Sequence, residues 1–151
     1  MGHLIPGETP PPPSSTASGA RVQGATQAGE GPGPFVMSCG TLSGDAVIDA
    51  RGDDIGRLEH VMLDVPSGRI AYGVLGRGGV FGIGEKLFAI PWDAFTLDAA
   101  RRCFVLDVDR ERLEKAPGFD RDHWPAMGDA AWATQVHTYY QREPYWGHPG
   151  K

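Results

Sequence analysis

Between Ala46 and Val108 the sequence is a succession of short apolar runs cut apart by glycine, proline and aspartate. That punctuation is what most narrows the possible folds, because turn signals at this spacing belong to a small all-β unit. The run Ala46 to Ala50 is followed by Arg51-Gly52-Asp53-Asp54, where Gly and Asp tolerate the positive φ of a tight hairpin. A second run, Ile55 to Val65, ends at Pro66-Ser67-Gly68-Arg69. There Pro66 presets φ for a turn and Gly68 can take the left-handed position. In the third run, Ile70 to Leu75, Ile70, Tyr72 and Val74 alternate with Ala71, Gly73 and Leu75, and small residues on one face suit a tightly curved sheet. Lys86 to Ile90 reads as a fourth strand stopped by Pro91, and Trp92 to Phe95 as a turn of helix. Arg102 to Val108 reads as a fifth strand, with Cys103 and Val105 on one face and Phe104 and Leu106 on the other. Asp109 can cap a short helix through Ala116, with Glu111 near its positive end and Pro117-Gly118 stopping it.

The second run carries two periods. Ile55, Leu58 and Val61 step by three, as on a helix, while Val61, Leu63 and Val65 step by two. Hairpin-type turns bracket the run on both sides, so the expectation is a strand with a bulge near Leu58 to His60, which supplies the bend that closes a small barrel.

The flanks have a different texture. The first 34 residues hold seven of the 13 prolines and seven of the 22 glycines, with Leu4, Ile5 and Val22 as the sizeable aliphatics. Such a stretch buries too little to offset the entropy of ordering itself, so residues 1–36 are expected to be a disordered tail. Pro10 to Pro13 is a short polyproline tract, and Met37, just before the first patterned residues, is an alternative start. Residues 117–147 carry seven of the 14 aromatics, and Trp132, Val136 and Tyr139 or Tyr140 fall at helical spacing. These define a helical aromatic extension that either covers the barrel or, through Trp132, Tyr139, Tyr140, Tyr145 and Trp146, presents a surface to a partner.

Catalytic and ligand-binding patterns are weak. Gly79 and Gly84 have the separation of a phosphate loop, but Glu85, Lys86 and Leu87 follow where Lys and then Ser or Thr are needed. The dinucleotide pattern fails at Phe81, where its third glycine belongs. His60, His123 and His137 lack metal-ligand spacing, Asp120 and Asp122 are separated by Arg121, and the two cysteines are far apart, so no metal or cofactor is expected. Cys103 reads as packing, and the cysteine count suits a reducing, cytoplasmic setting. A net charge of −5 argues against a nucleic-acid partner. No run is long enough for a transmembrane helix. Val80, Phe81 and Ile83 stand among glycines, where they either meet another surface or fold back over the barrel mouth. Asp64 and Arg69 flank the Pro66 turn and are placed to pair across it.

Several segments together resemble a known family. They are Gly56-Arg57-Leu58-Glu59-His60-Val61-Met62-Leu63-Asp64, Ser67-Gly68-Arg69-Ile70-Ala71-Tyr72, Gly82-Ile83-Gly84-Glu85-Lys86 and Phe88-Ala89-Ile90-Pro91-Trp92. Over residues 40–116 they are similar to the PRC-barrel domain, whose namesake is the cytoplasmic barrel of the photosynthetic reaction-centre H subunit and which also forms the C-terminal domain of a ribosome maturation factor. The tail from Val136 to Trp146 resembles a stand-alone bacterial subgroup. The resemblance implies a mainly β protein, a small PRC-type barrel with a short helix after it, that binds or scaffolds partners without catalysis. Expected uses are protein interaction or assembly, including homodimerisation, in the cytoplasm or, through a partner, at the inner-membrane face of a membrane-associated or photosynthetic complex. The alternatives are an RNA- or ribosome-associated maturation module, against which the acidic balance counts, and a small-ligand-binding barrel using His60 and the glycine loop.

Overall fold

The computed structural model describes residues 19–24, 33–78 and 85–146. Among them one mixed sheet contains β1 (Arg21–Gln23), β2 (Ala46–Ile48), β3 (Asp54–Asp64), β4 (Arg69–Arg77), β5 (Lys86–Pro91), β6 (Phe95–Asp98) and β7 (Cys103–Leu106). Their spatial order is β1-β6-β7-β2-β3-β4-β5. Helices α1 (Cys39–Leu42), α2 (Arg110–Glu114) and α3 (Ala130–Tyr139) and a 3-10 turn at Trp92–Ala94 complete the described elements.

The antiparallel meander β2-β3-β4-β5 follows the turn chemistry. The segment open to a helical reading is strand β3, and its pairing with β4 skips register between Leu58 and His60, where the bulge was expected. A second skip falls between Met62 and Leu63. Gly68 takes φ 77 in the β3–β4 turn, as its position after Pro66-Ser67 requires.

Three features go beyond the sequence expectation. Phe95–Asp98 forms β6, a hairpin partner of β7 with Phe95 opposite Leu106 and Asp98 opposite Cys103. The turn between them contains neither glycine nor proline. Asp98 builds it instead, accepting from the Arg101 amide at 3.0 Å and, through its carbonyl, from the Arg102 amide at 2.8 Å, while Arg102 adopts φ 58. Next, β7 lies parallel beside β2, joining the late hairpin to the meander. Third, Arg21–Gln23 pairs in parallel with β6, so this part of the segment expected to be disordered is a strand. Residues 33–36, also expected to be disordered, form turns, and most of the rest of that expectation, including Pro10 to Pro13, lies on residues 1–18 and 25–32, outside the described residues.

The sheet is rolled. Strands β4 and β6 are four places apart in its order, roughly 19 Å in a flat sheet. Yet a Cβ added to Gly73 of β4 would stand 2.7 Å from the Phe95 ring of β6. Inside the roll lie Val47, Leu58, Leu75, Ile90, Phe95, Phe104 and Leu106, each at most 1% exposed. Fully burying each large side chain contributes about 1.5–3 kcal/mol, so this interior dominates the fold's stability. Phe95 and Phe104 meet edge to face at 5.9 Å. Cys103 is buried, consistent with packing.

A second layer covers the outer face. Strand β4 is buried continuously from Ala71 to Gly76, which requires cover on both sides. Tyr72 points outward into Trp132, His137 and Tyr145, with ring centroids 5.4, 5.5 and 6.2 Å away. Asp129 caps α3 by accepting from the Trp132 amide at 2.9 Å. Phe119 reaches the β5 edge and exchanges two backbone hydrogen bonds with Leu87, at 2.8 and 2.9 Å.

Candidate interaction surface

The far end of the β3–β4 hairpin and the end of the aromatic extension form one braced unit. The Asp64 carboxylate accepts from the Ser67 amide at 3.2 Å, which sets the turn. Its other oxygen accepts from the Tyr145 hydroxyl at 2.6 Å. Arg69 donates from Nη1 to the Tyr145 carbonyl at 2.5 Å. Asp64 and Arg69 stand opposite each other across the hairpin, but the expected ion pair between them does not form, and both side chains are spent on holding Tyr145 in place. The Tyr145 hydroxyl bond, then the Ser67 amide, hold the Asp64 carboxyl below its ordinary range. Burial, reinforced by the Asp64 carboxylate that accepts its proton, pushes the Tyr145 hydroxyl up to about 12.

Large apolar side chains remain exposed around this brace. Leu63 and Val65, on either side of Asp64, are 54% and 79% exposed, and Trp146, next to Tyr145, is 45% exposed. Trp146 is oriented by edge contacts with Tyr145 at 5.0 Å and His137 at 5.1 Å. Exposed side chains of this size on a rigid hairpin are the kind that partner surfaces bury, since their ordering is already complete before contact.

The other predicted interaction residues have different positions. Trp132 packs edge to face on Tyr72, and Tyr140 is 5% exposed within the core cluster. Tyr139 donates to the Arg112 carbonyl at 2.6 Å and its own carbonyl accepts from Arg112 Nη1 at 2.7 Å, clamping α3 to α2. Tyr145 belongs to the brace. Of the five extension aromatics proposed as a surface, these four are engaged inside the molecule, and Trp146 is the one left substantially open. Val80, Phe81, Gly82, Ile83 and Gly84 lie outside the described residues.

The motif residues that the structure describes shape and pack the fold. Gly56 has φ 149 and a Cβ there would run into the Gly76 carbonyl oxygen. His60 meets Trp124 edge to face at 5.2 Å. Pro91 ends β5 opposite Tyr72, and Trp92 packs on Phe95 and Phe104 at 5.6 and 5.8 Å. A cavity of about 90 Å³ separates β5 from α3, lined by Ala89, Phe119, Trp132, Val136 and Tyr140 among others. His137, 2% exposed, is bonded through Nδ1 to the Ala133 carbonyl at 2.8 Å, and burial holds its pKa below the ordinary histidine value.

Leu63 and Val65 were missed as surface residues because their alternation with Val61 predicts a shared inward face. Val61 does pack against the core, but the skip between Met62 and Leu63 breaks the alternation before the hairpin end. The signal in the sequence was Val65 itself, a large aliphatic placed directly before a turn proline.

No helix among the described residues is long and apolar enough to cross a membrane. A comparison with curated proteins finds no match. The comparison with protein families does, and it covers residues 36–113, from the approach to α1 through β2–β7 into α2. The bulged β3, the Gly68 hairpin, the Pro91-Trp92 corner and the rolled sheet are the parts of the chain that this match spans, and on more than half of its length the chain belongs to the PRC-barrel domain family.

Proposed function

We propose that this PRC-barrel chain is a non-enzymatic protein-interaction or assembly module, and that the β3–β4 hairpin end with Trp146 is its contact surface. The observation that carries this reading is the exposure of Leu63, Val65 and Trp146 beside a brace of Asp64, Arg69 and Tyr145. The brace removes conformational freedom without any partner present, so the apolar area can contribute to association instead of offsetting an ordering cost. The titratable groups of the fold also have structural work: Asp64 and Asp98 build turns, His137 fills the outer layer, and Tyr139 joins α3 to α2. A net charge of −5 weighs against the RNA-associated alternative. A cytoplasmic or membrane-peripheral assembly is the setting in which such a module would serve.

The test is a Val65→Ser/Trp146→Ser variant of the full chain compared with wild type by sedimentation velocity and by in-cell cross-linking with mass spectrometry. Both sites are exposed, so the melting temperature should change little. Self-association or cross-links to a defined partner should fall at least tenfold. Association undiminished in a folded variant would remove this surface from consideration. Cross-links confined to ribosomal proteins would favour the maturation alternative, and cross-links to photosynthetic subunits the reaction-centre setting.

A further inference from the structure

The outer edge of β6 is closed by the three residues of β1. The hold combines backbone and side chain: the Ala99 amide donates to the Gln23 carbonyl at 2.9 Å, and Gln23 Nε2 donates to the Asp98 carboxylate at 3.1 Å. Val22 is half-buried and packs against the core, while Arg21 and Gln23 are exposed. The edge is acidic. Asp98 is 5% exposed and its pKa is lowered first by the Arg101 amide and then by Gln23. Asp93, at the 3-10 turn leading into β6, has a buried carboxylate oxygen without a hydrogen bond and lies in the fields of Arg142 and Arg21.

Nothing in the chain's connectivity demands this arrangement. Fifteen residues separate Gln23 from Cys39, so β1 is tethered to the sheet rather than built into its meander. Without β1, β6 would present unpaired backbone groups, and such an edge is a template for any extended segment. The resident strand pairs over three residues only, within reach of a competitor that makes more contacts.

We propose that the β6 edge is a strand-addition site for a partner protein's extended segment carrying an aliphatic and then an amide side chain, added in parallel. The chain's own Arg21–Gln23 occupies the site in cis until such a segment displaces it. The aliphatic side chain takes the half-buried position of Val22, and the amide takes the bond to Asp98. This edge is separate from the β3–β4 surface and its test does not depend on that reading.

The test uses the full chain carrying Arg21→Glu/Val22→Asp, which opposes cis docking, and a fluorescent synthetic peptide of residues 18–26. In wild type the Ala99 amide should be protected from hydrogen exchange, in the variant it should exchange at least tenfold faster, and added peptide should restore protection. Anisotropy should show the peptide binding the variant at least tenfold more tightly than wild type, whose own strand competes. A peptide in which the valine is replaced by aspartate should fail on both. Equal affinity for the two chains, or Ala99 exchange indifferent to the substitutions, overturns the cis occupancy. A folded variant that does not take up the peptide overturns the docking site. Val22→Gly, which removes only the half-buried side chain, should give the same order of affinities with a smaller gap, and its failure to do so would count against the proposal whether or not the double variant folds.

Discussion

Gly73 shows how one missing side chain sets the curvature of this molecule. A Cβ there would lie 2.7 and 2.9 Å from two Phe95 ring atoms and 3.0 Å from Leu58 Cδ1. Both neighbours are fully buried and belong to the close-packed interior, so they have little room to give. Gly73→Ala is therefore expected to destabilise the fold by about 1–3 kcal/mol, read as a shift in the denaturant midpoint. Wild-type stability in that variant would show that the roll is looser than the Phe95 contact implies. The small residues at Ala71 and Gly73 made curvature legible in the sequence. That Phe95, from a strand not recognised there, is what fills the space was not, because cross-sheet contacts leave no local pattern. Gly68 is the opposite case, since a turn glycine's conformation is demanded by the residues beside it.

At the scale of elements, the aromatic extension is a second wall. Tyr72 and Val74 of β4, at 1% and 0% exposed, share the outward side of an alternating strand, and α3 with its flanking loops covers them. Removing everything after Ala116 would uncover both, at about 1.5–3 kcal/mol for each large side chain, against a total stability of about 5–15 kcal/mol for a typical domain. The truncated chain should therefore bind hydrophobic dyes and lose its sharp thermal transition, as calorimetry would detect. A truncated chain that melts as sharply and as high as the full one would show that the extension is an independent appendage. The helix was legible from the spacing of Trp132, Val136 and Tyr140, and so was its need for cover. Which of its aromatics lie inward depended on where β4 sits, and this is why the spacing alone left both readings open, cover over the barrel and a surface for a partner.

The whole molecule should respond to acid in two stages. Asp49, Asp64, Asp98 and Asp120 have pKa values lowered chiefly by hydrogen bonds from the Asp53 amide, the Tyr145 hydroxyl, the Arg101 amide and Lys86 respectively. Their unfolded forms take up protons first, so the stability they contribute is present above about pH 4 and is lost as pH falls below it. His137, lowered by burial, acts in the same direction at higher pH: the unfolded chain binds its proton near pH ~6.5 while the folded chain resists, so stability declines below that point. Asp93, raised by burial, works in the opposite sense and softens the acid limb. Melting temperature should thus be level between pH ~6.5 and ~9, decline in two steps below that range, and fall above it, where the unfolded chain loses the protons that burial keeps on Cys103, Tyr72, Tyr140 and Tyr145. His137→Leu should flatten the upper step and leave the lower one, and an upper step that survives this substitution would assign it elsewhere.

The sequence by itself determined the β2–β5 meander, its bulge near Leu58 to His60, the Pro91-Trp92 corner, α2, α3 and the family, because each follows from backbone preferences of neighbouring residues or from a short-range period. Only the tertiary structure decided that β7 lies parallel to β2, that Arg21–Gln23 closes the β6 edge, and that Tyr145 is held by Asp64 and Arg69. These contacts join segments far apart along the chain, where no residue's local conformation favours one partner over another. The choice is made by which closure of the roll buries the most apolar surface while leaving the fewest backbone groups unpaired.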